Sequence, residues 1–459
     1  MSATLSYPGH MRALLTLGVP LIGGHLAQFA VQATDTIMLG WYDVEALAAV
    51  VLAGSLFFVI FILGAGFGFA VMPLVAEASA NDEGAVQVRR VTRMGLWLSL
   101  IFAALAIVPM LLSEPILLAM GQTPVIARAA SSYLQIAGWG VVPALGVMVL
   151  KSYLAALERA QVVLWVTILA AVVNAAVNWV LIFGQFGFPE MGIRGAAIAS
   201  VMVQVVSFIG LVIYALRAFP EHALFQRFWR PDWGAFAQVF RLGWPIGLTN
   251  LTEVGLFAAS AVMIGWLGPI PLAAHGIALE LASATFLVHL GLSNATTIRT
   301  GKAMGRGDIV MLRRGGLVAI ALSGMFALLG ITVFLIWPEP LIGLFLSPED
   351  PERPSILLLG TTLLGMAALF QLADGAQVMA HGLLRGVQDT RVPMVISALA
   401  YWGIGMSCGY MLGFVAGYGA VGVWTGLVIG LVVAAAWLMY RFWAQTLPRM
   451  TRRSLEIAA

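Results

Sequence analysis

The sequence predicts an all-α integral membrane protein of twelve transmembrane helices in two six-helix lobes, and three observations carry that expectation. The first is composition: of 459 residues, 61% are hydrophobic and only 10% are charged, whereas soluble domains carry about 25% charged residues. The second is length. Apolar runs long enough to cross a bilayer, about 20 residues each, follow one another along nearly the whole chain, leaving no stretch for a sizeable soluble domain. The third is repetition. An ungapped shift that lays Leu17, Gly18 and Pro20 on Leu242, Gly243 and Pro245 also lays residues 37–41 (IMLGW) on residues 262–266 (VMIGW). It further sets Leu47, Ala48 and Ala49 on Leu272, Ala273 and Ala274, Phe61 on Phe286 and Gly66 on Gly291. Each copy holds an even number of spans, so both cross in the same sense and are related by an axis along the membrane normal.

The spans of the first lobe are read over residues 13–39, 46–79, 94–112, 129–150, 162–183 and 195–216. Those of the second are read over 242–266, 271–298, 315–337, 355–381, 393–414 and 420–442. Basic residues separate them in alternate loops. Arg12 precedes the first span; Arg89, Arg90 and Arg93 lead into the third; Lys151 and Arg159 divide the fourth from the fifth. Arg217, Arg227, Arg230 and Arg241 divide the sixth from the seventh, and the run from Arg299 to Arg314 divides the eighth from the ninth. Arg385 and Arg391 follow the tenth, and Arg441, Arg449, Arg452 and Arg453 follow or end the twelfth. Of the 24 Lys and Arg residues only Arg128, Arg194 and Arg353 fall in the opposite loops. The positive-inside rule then places both termini in the cytoplasm, and a multi-pass protein of the cell inner membrane is expected. The domains follow: a first lobe over 1–217, a cytoplasmic linker over 218–240 with room for a surface helix at 233–240, a second lobe over 241–443 and a cytoplasmic tail over 444–459.

The net charge of +3 and pI of about 9.2 are explained by this topology, and no nucleic-acid partner is expected. Residues 5–10 lack the basic stretch, apolar core and small-residue site of a cleaved signal peptide, so the first span is expected to be retained. The single cysteine, Cys408, lies in an apolar run; it can form no intramolecular disulfide and reads as a packing residue.

Chemistry is sought where polarity is least affordable. Asp35, Glu253, Glu280 and Asp374 lie within spans, with no Lys or Arg expected at comparable depth. Intramembrane carboxylates mark ion, proton or substrate sites; the plain alternative is a structural group bonded to a neighbouring helix. Gln371, Asp374, Gln377 and His381 share a sector about 120° wide on a helix, a polar stripe on the tenth span. In the first span His25, Gln28, Gln32 and Asp35 form a second narrow face, and Thr249, Asn250, Thr252 and Glu253 cluster two turns after Pro245. Asn174 and Asn178, four apart, with Ser200, give polar lining or interhelical amide packing. His25 and His381 read as neutral hydrogen-bond partners. Phe370, Trp179, Tyr401 and Trp402 offer an adaptable aromatic surface for flat cations. No HExxH, phosphate-loop or CxxC motif occurs, and GAGFG at residues 64–68 lies in an apolar span where glycines serve close helix packing.

Taken together, LGVP at residues 17–20, ATDTIMLG at 33–40, NAAVNWVLIFG at 174–184, LTEVGLFA at 251–258 and DGAQVMAHGLLRGVQDT at 374–390 resemble the multidrug and toxic compound extrusion (MATE) family, in its NorM-like branch, over essentially the whole chain. The resemblance implies a V-shaped fold and a secondary antiporter that exports organic cations and other drugs in exchange for protons or sodium, without a cofactor and as a monomer. It implies a cation site at Glu253 and Asp374, with sodium as one possible occupant, a functional carboxylate at Asp35, and a polar lining that includes Asn174, Asn178 and Ser200. Phe370 departs from the pattern: some sodium-coupled relatives place a Tyr there, and Phe supplies no oxygen, which favours protons. Gln28, Gln32, Asn250, Glu280, Phe370, Gln371 and Gln377 are the further residues expected along the cavity. Two alternatives stand beside this reading. One is a lipid-linked oligosaccharide flippase, which would favour a cationic cavity. The other is an intramembrane enzyme using His25, Asp35 and Asp374, which would need these residues to converge although the duplication puts them in different lobes.

Overall fold

The structure is a computed structural model that describes residues 6–81, 84–349 and 351–458; Leu5 and the last tail residue, Ala459, lie outside these. Among the described residues it is all helical, with twelve helices long and apolar enough to cross a membrane. They are α1 (Tyr7–Tyr42), α2 (Glu45–Ala78), α3 (Gly84–Leu111), α4 (Pro124–Ala156), α5 (Ala160–Phe183), α6 (Gly192–Ala218), α7 (Trp233–Gly265), α8 (Pro269–Gly305), α9 (Ile309–Ile336), α10 (Arg353–Gly386), α11 (Arg391–Val415) and α12 (Gly419–Arg452). All twelve expected spans are found. Where a helix outlasts its apolar run, it does so chiefly at the ends that carry the basic residues: α3 begins at Gly84, α7 at Trp233, and α8 runs on to Gly305. Arg, Lys, Gln and Glu are good helix formers, so the backbone does not stop where the hydrocarbon does.

The start of α7 changes one expectation. Residues 233–240, assigned to the linker, are the first turns of the seventh span, continuous to Gly265. Asp232 accounts for this: its Oδ1 accepts the Ala235 N–H at 3.0 Å, satisfying one of the free donors at a helix start. Asp43 and Asp308 do the same for α2 and α9, accepting from Ala46 N and Met311 N, each at 2.8 Å.

Packing divides the chain into two units, and the division does not fall in the linker. One unit is Gly23–Leu248, and the other joins Met1–Ile22 to Thr249–Ala459. The boundaries lie inside α1 and α7, within a turn of Pro20 and Pro245. Each proline removes a backbone donor from its helix interior and loosens it there. The duplication is visible in the packing of the two exchanged halves. In the N-terminal unit a Cβ added to Gly243 of α7 would meet Phe67 Cα at 2.9 Å. In the C-terminal unit a Cβ on Gly18 of α1 would meet Leu292 Cδ2 at 3.1 Å. The repeat maps Gly18 on Gly243 and Phe67 on Leu292, so the same contact is made in each unit by the helix half of the other copy.

In the C-terminal unit α10 is central, packed against α8, α9 and α12. It approaches α8 closely because Gly382 and Gly386 present no side chain: a Cβ on Gly386 would lie 3.0 Å from Thr297 O. Ser293 and Thr297 of α8 donate to Val378 O at 2.7 Å and Gly382 O at 3.0 Å. These hydroxyl bonds set the rotation of α10 and hence where its polar stripe faces. α11 contains two π-helical segments, Leu399–Met406 and Met411–Val415, and runs against α12 on facing glycines, Gly405 and Gly409 against Gly430 and Gly426.

Candidate functional site

The stripe on α10 faces inward. Gln371, Asp374 and Gln377 are at most 1% exposed and His381 is 6% exposed. Asp374 and Glu253 meet through one amide: Gln377 Nε2 donates to Glu253 Oε1 at 2.9 Å and to Asp374 Oδ1 at 3.2 Å. The other end of that amide is also held, since the Tyr401 hydroxyl donates to Gln377 Oε1. Gln371 donates to Thr285 Oγ1 on α8, and His381 Nε2 lies 3.0 Å from Ser397 Oγ on α11. A stripe read from spacing alone is therefore a hydrogen-bonded cluster built on α7, α8, α10 and α11.

A cation stands beside it, contrary to the expectation that no Lys or Arg lies at this depth. α10 continues to Gly386, so Arg385 is a helix residue and not a loop residue. Its Nη2 donates to Asn250 Oδ1 at 2.9 Å, and its charge acts on Glu253. Arg385 lies eleven positions after Asp374, three turns along the same face, so the signal was present in the spacing. Lys151 likewise belongs to α4, where its charge acts on His25.

The N-terminal unit holds a second, simpler cluster. Asn178 Nδ2 donates to Asp35 Oδ1 and, at 3.1 Å, to Asn174 Oδ1; Ser200 Oγ donates to Asp35 Oδ2 at 3.4 Å. Both asparagines are fully buried. Tyr133 of α4 adds its hydroxyl to Ser200, a member with no sequence signal of its own. Here a lone carboxylate is surrounded by neutral groups.

Other expected lining residues are placed differently. Phe370 is 3% exposed and packed in the apolar core, its ring 5.9 Å from Phe257 and 6.1 Å from Trp424; an aromatic ring without a polar atom is drawn into the core. Gln28 is half-buried, while Gln32 and Glu280 are exposed on α1 and α8 and join neither cluster. Trp402 donates its indole N–H to Thr252 O at 3.1 Å, while Trp179 stays exposed beside Phe183.

Comparison with known proteins agrees over most of the chain. The MatE family model matches residues 20–180 and 245–411. A "Probable multidrug resistance protein NorM" of Rhizobium meliloti (strain 1021) is 47% identical over 440 residues, covering 95% of this chain and 94% of that protein. Its counterpart of the same name in Agrobacterium fabrum (strain C58 / ATCC 33970) is 44% identical over 443 residues, covering 96% and 95%. Among solved structures, that of MATE in complex with MaL6 superposes with a TM-score of 0.86 at 22% identity, covering 96% of this chain and 97% of the other.

Proposed function

The chain belongs to the MatE family, whose members are multidrug transporters and not enzymes, and from that premise we propose that it is a secondary antiporter exporting organic, often cationic and aromatic compounds in exchange for protons. The observation that carries the proposal is the single Gln377 amide bonded to both Glu253 and Asp374, with Arg385 acting on the first. Two ionised carboxylates and one guanidinium leave one negative charge in a setting where water is scarce. Such a charge is expensive to keep uncompensated. One proton, one sodium ion or one monovalent drug neutralises it, so occupancy by one excludes the others. Alternating access then needs only that the neutralised cluster passes through a closed state more easily than the charged one.

Protons are favoured over sodium by what surrounds the pair. A hard cation takes several oxygen ligands, yet Gln377 Oε1 is engaged by Tyr401, Asn250 Oδ1 is engaged by Arg385, and Phe370 is packed away. Asp35, with neutral partners throughout, is assigned as a second cation-accepting group. The proposal keeps the duplicated lobes (1–217 and 241–443), the connecting segment (218–240, its last turns from Trp233 helical and continuous with α7) and the tail (444–459) as sequence units. It further takes a monomer in the inner membrane with both termini cytoplasmic. The test is efflux of a fluorescent organic cation from proteoliposomes under separately imposed proton and sodium gradients. A response to the proton gradient alone supports the reading; a response to sodium alone overturns the coupling ion, and a response to neither overturns antiport.

A further inference from the structure

Away from both acid clusters, the N-terminal unit has a concavity of about 760 Å³ where the start of α3 meets the segment leading into α7. Five guanidinium groups line it, from Arg89, Arg90, Arg93, Arg227 and Arg230, against one carboxylate, Asp232. That carboxylate is already committed: Arg90 donates to both its oxygens, through Nε to Oδ2 and through Nη2 to Oδ1 at 3.1 Å, and Oδ1 also accepts from Ala235 N. The paired guanidinium holds the Asp232 carboxyl well below the usual range, at about 2. Like charges gathered this closely repel, and among the described residues lining the concavity Asp232 is the only carboxylate.

The pocket is built, not merely basic. Arg93 is only 8% exposed, and its Nη1 donates to Arg227 O at 3.2 Å and, at a marginal 3.5 Å, to Gln226 O. That bond holds Arg227 at φ 54°, a left-handed backbone that a non-glycine residue keeps only when its surroundings impose it. The indole N–H of Trp97 donates to Phe228 O at 3.0 Å and pins the next residue to α3. Arg93, itself one of the lining residues, leaves its buried Nε without a hydrogen-bond partner. A buried charged donor left unpaired is a strong sign of a missing acceptor.

Guanidinium groups in this number recognise phosphate, whose oxygens match their fork of donors. The setting selects the source. The pocket lies at the basic ends of membrane-crossing helices, and Trp229 and Trp233 beside it are 75% and 68% exposed; indoles in such positions sit at headgroup level, and basic pockets there take anionic headgroups. We propose that this pocket binds the phosphate of an anionic phospholipid, clamped by Arg93, Arg227 and Arg230, and so ties the segment between α6 and α7 to the membrane surface.

The test uses the full chain in detergent and measures binding of phosphatidylglycerol, phosphatidylcholine and inorganic phosphate, by native mass spectrometry and by thermal shift. Phosphatidylglycerol is expected to bind and raise the unfolding temperature, and phosphatidylcholine to do neither. Arg227→Gln combined with Arg230→Gln, both at exposed positions, is expected to weaken phosphatidylglycerol at least roughly tenfold, given about 1 kcal/mol per basic residue at a membrane surface. Arg93→Gln should weaken it further, but it also releases Arg227 O, so the exposed pair is the deciding variant. Equal binding of both lipids, or unchanged phosphatidylglycerol binding in the double variant, overturns the site. Occupation by inorganic phosphate at concentrations that displace phosphatidylglycerol overturns the lipid as its ligand.

Discussion

Each unit of the molecule uses one buried amide to bridge two acceptors, and the two bridges differ in the charges they gather. In the N-terminal unit Asn178 joins Asp35 to a neutral partner, Asn174; in the C-terminal unit Gln377 joins two carboxylates, Glu253 and Asp374. An amide N–H₂ has two donors and is satisfied equally well in both. The charge is not. The first bridge serves one carboxylate with no cation beside it, and the second serves two with Arg385 close by. When ionised, both clusters therefore carry the same net charge of −1 by different constructions. Only the second gathers two carboxylates around one shared donor.

The largest test of that difference is to remove the second acid. Asp374→Asn leaves Glu253 and Arg385 neutral together, and ion-driven efflux in proteoliposomes should fall by about 100-fold or more, in the range seen when a positioned acid-base group is lost. Asp35→Asn leaves the shared pair intact and should cost roughly tenfold. The opposite order of severity would break the comparison. Arg385→Gln sharpens it: two uncompensated carboxylates should strongly impair exchange and destabilise the protein by about 1–3 kcal/mol. Adding Glu253→Gln restores the net charge, so the double variant should recover part of the efflux, a coupling that a double-mutant cycle reads directly. No recovery would mean that Arg385 serves Asn250 alone.

Smaller effects test the scaffold. Tyr401→Phe frees Gln377 Oε1 and should lower stability by about 1 kcal/mol and efflux a few-fold, whereas removing the Tyr133 hydroxyl from its more open site should do less. The smallest effect lies outside both clusters. Asp232, held at about 2 by Arg90, contributes stability that is fully present above the unfolded carboxylate value of about 3.9. That contribution is lost as pH falls through about 2. Because Arg90 is 42% exposed, the pair is screened and worth under about 1 kcal/mol. Thermal unfolding of Asp232→Asn against the parent chain should show a small gap at neutral pH that closes in acid.

How much of this was legible depends on which physical signal each residue leaves in the chain. The α10 stripe was readable because a polar face in an apolar helix has a period, and the duplication was readable because both copies kept their glycines and prolines. Glu253 was paired with Asp374 only through family resemblance; nothing in spacing links two residues so far apart. Arg385 continued the stripe but was counted as a loop charge, since hydropathy reports the bilayer and not the end of a helix. Residues 233–240 read as linker with room for a surface helix for the same reason, and the structure joins that helix to α7. Tyr401 reads from sequence only as part of an aromatic surface, whereas it is fully buried with its hydroxyl on Gln377: its partner lies on another helix, and a π-helical turn and glycine contacts with α12 accompany its placement. Phe370 showed what it lacks as a ligand, but not that the core would enclose it.

The exchanged halves of α1 and α7 make the chain behave as a reciprocal swap. A break between Ala218 and Trp233 yields one fragment whose opening helix half, up to Ile22, belongs to the packing of the other, and a second fragment whose opening helix half, up to Leu248, belongs to the first. Each piece alone has a vacant slot in its own packing and a surplus helix half with nowhere to go. Co-expressed, the two should reassemble without a peptide bond between them, whereas either piece on its own should fail to accumulate.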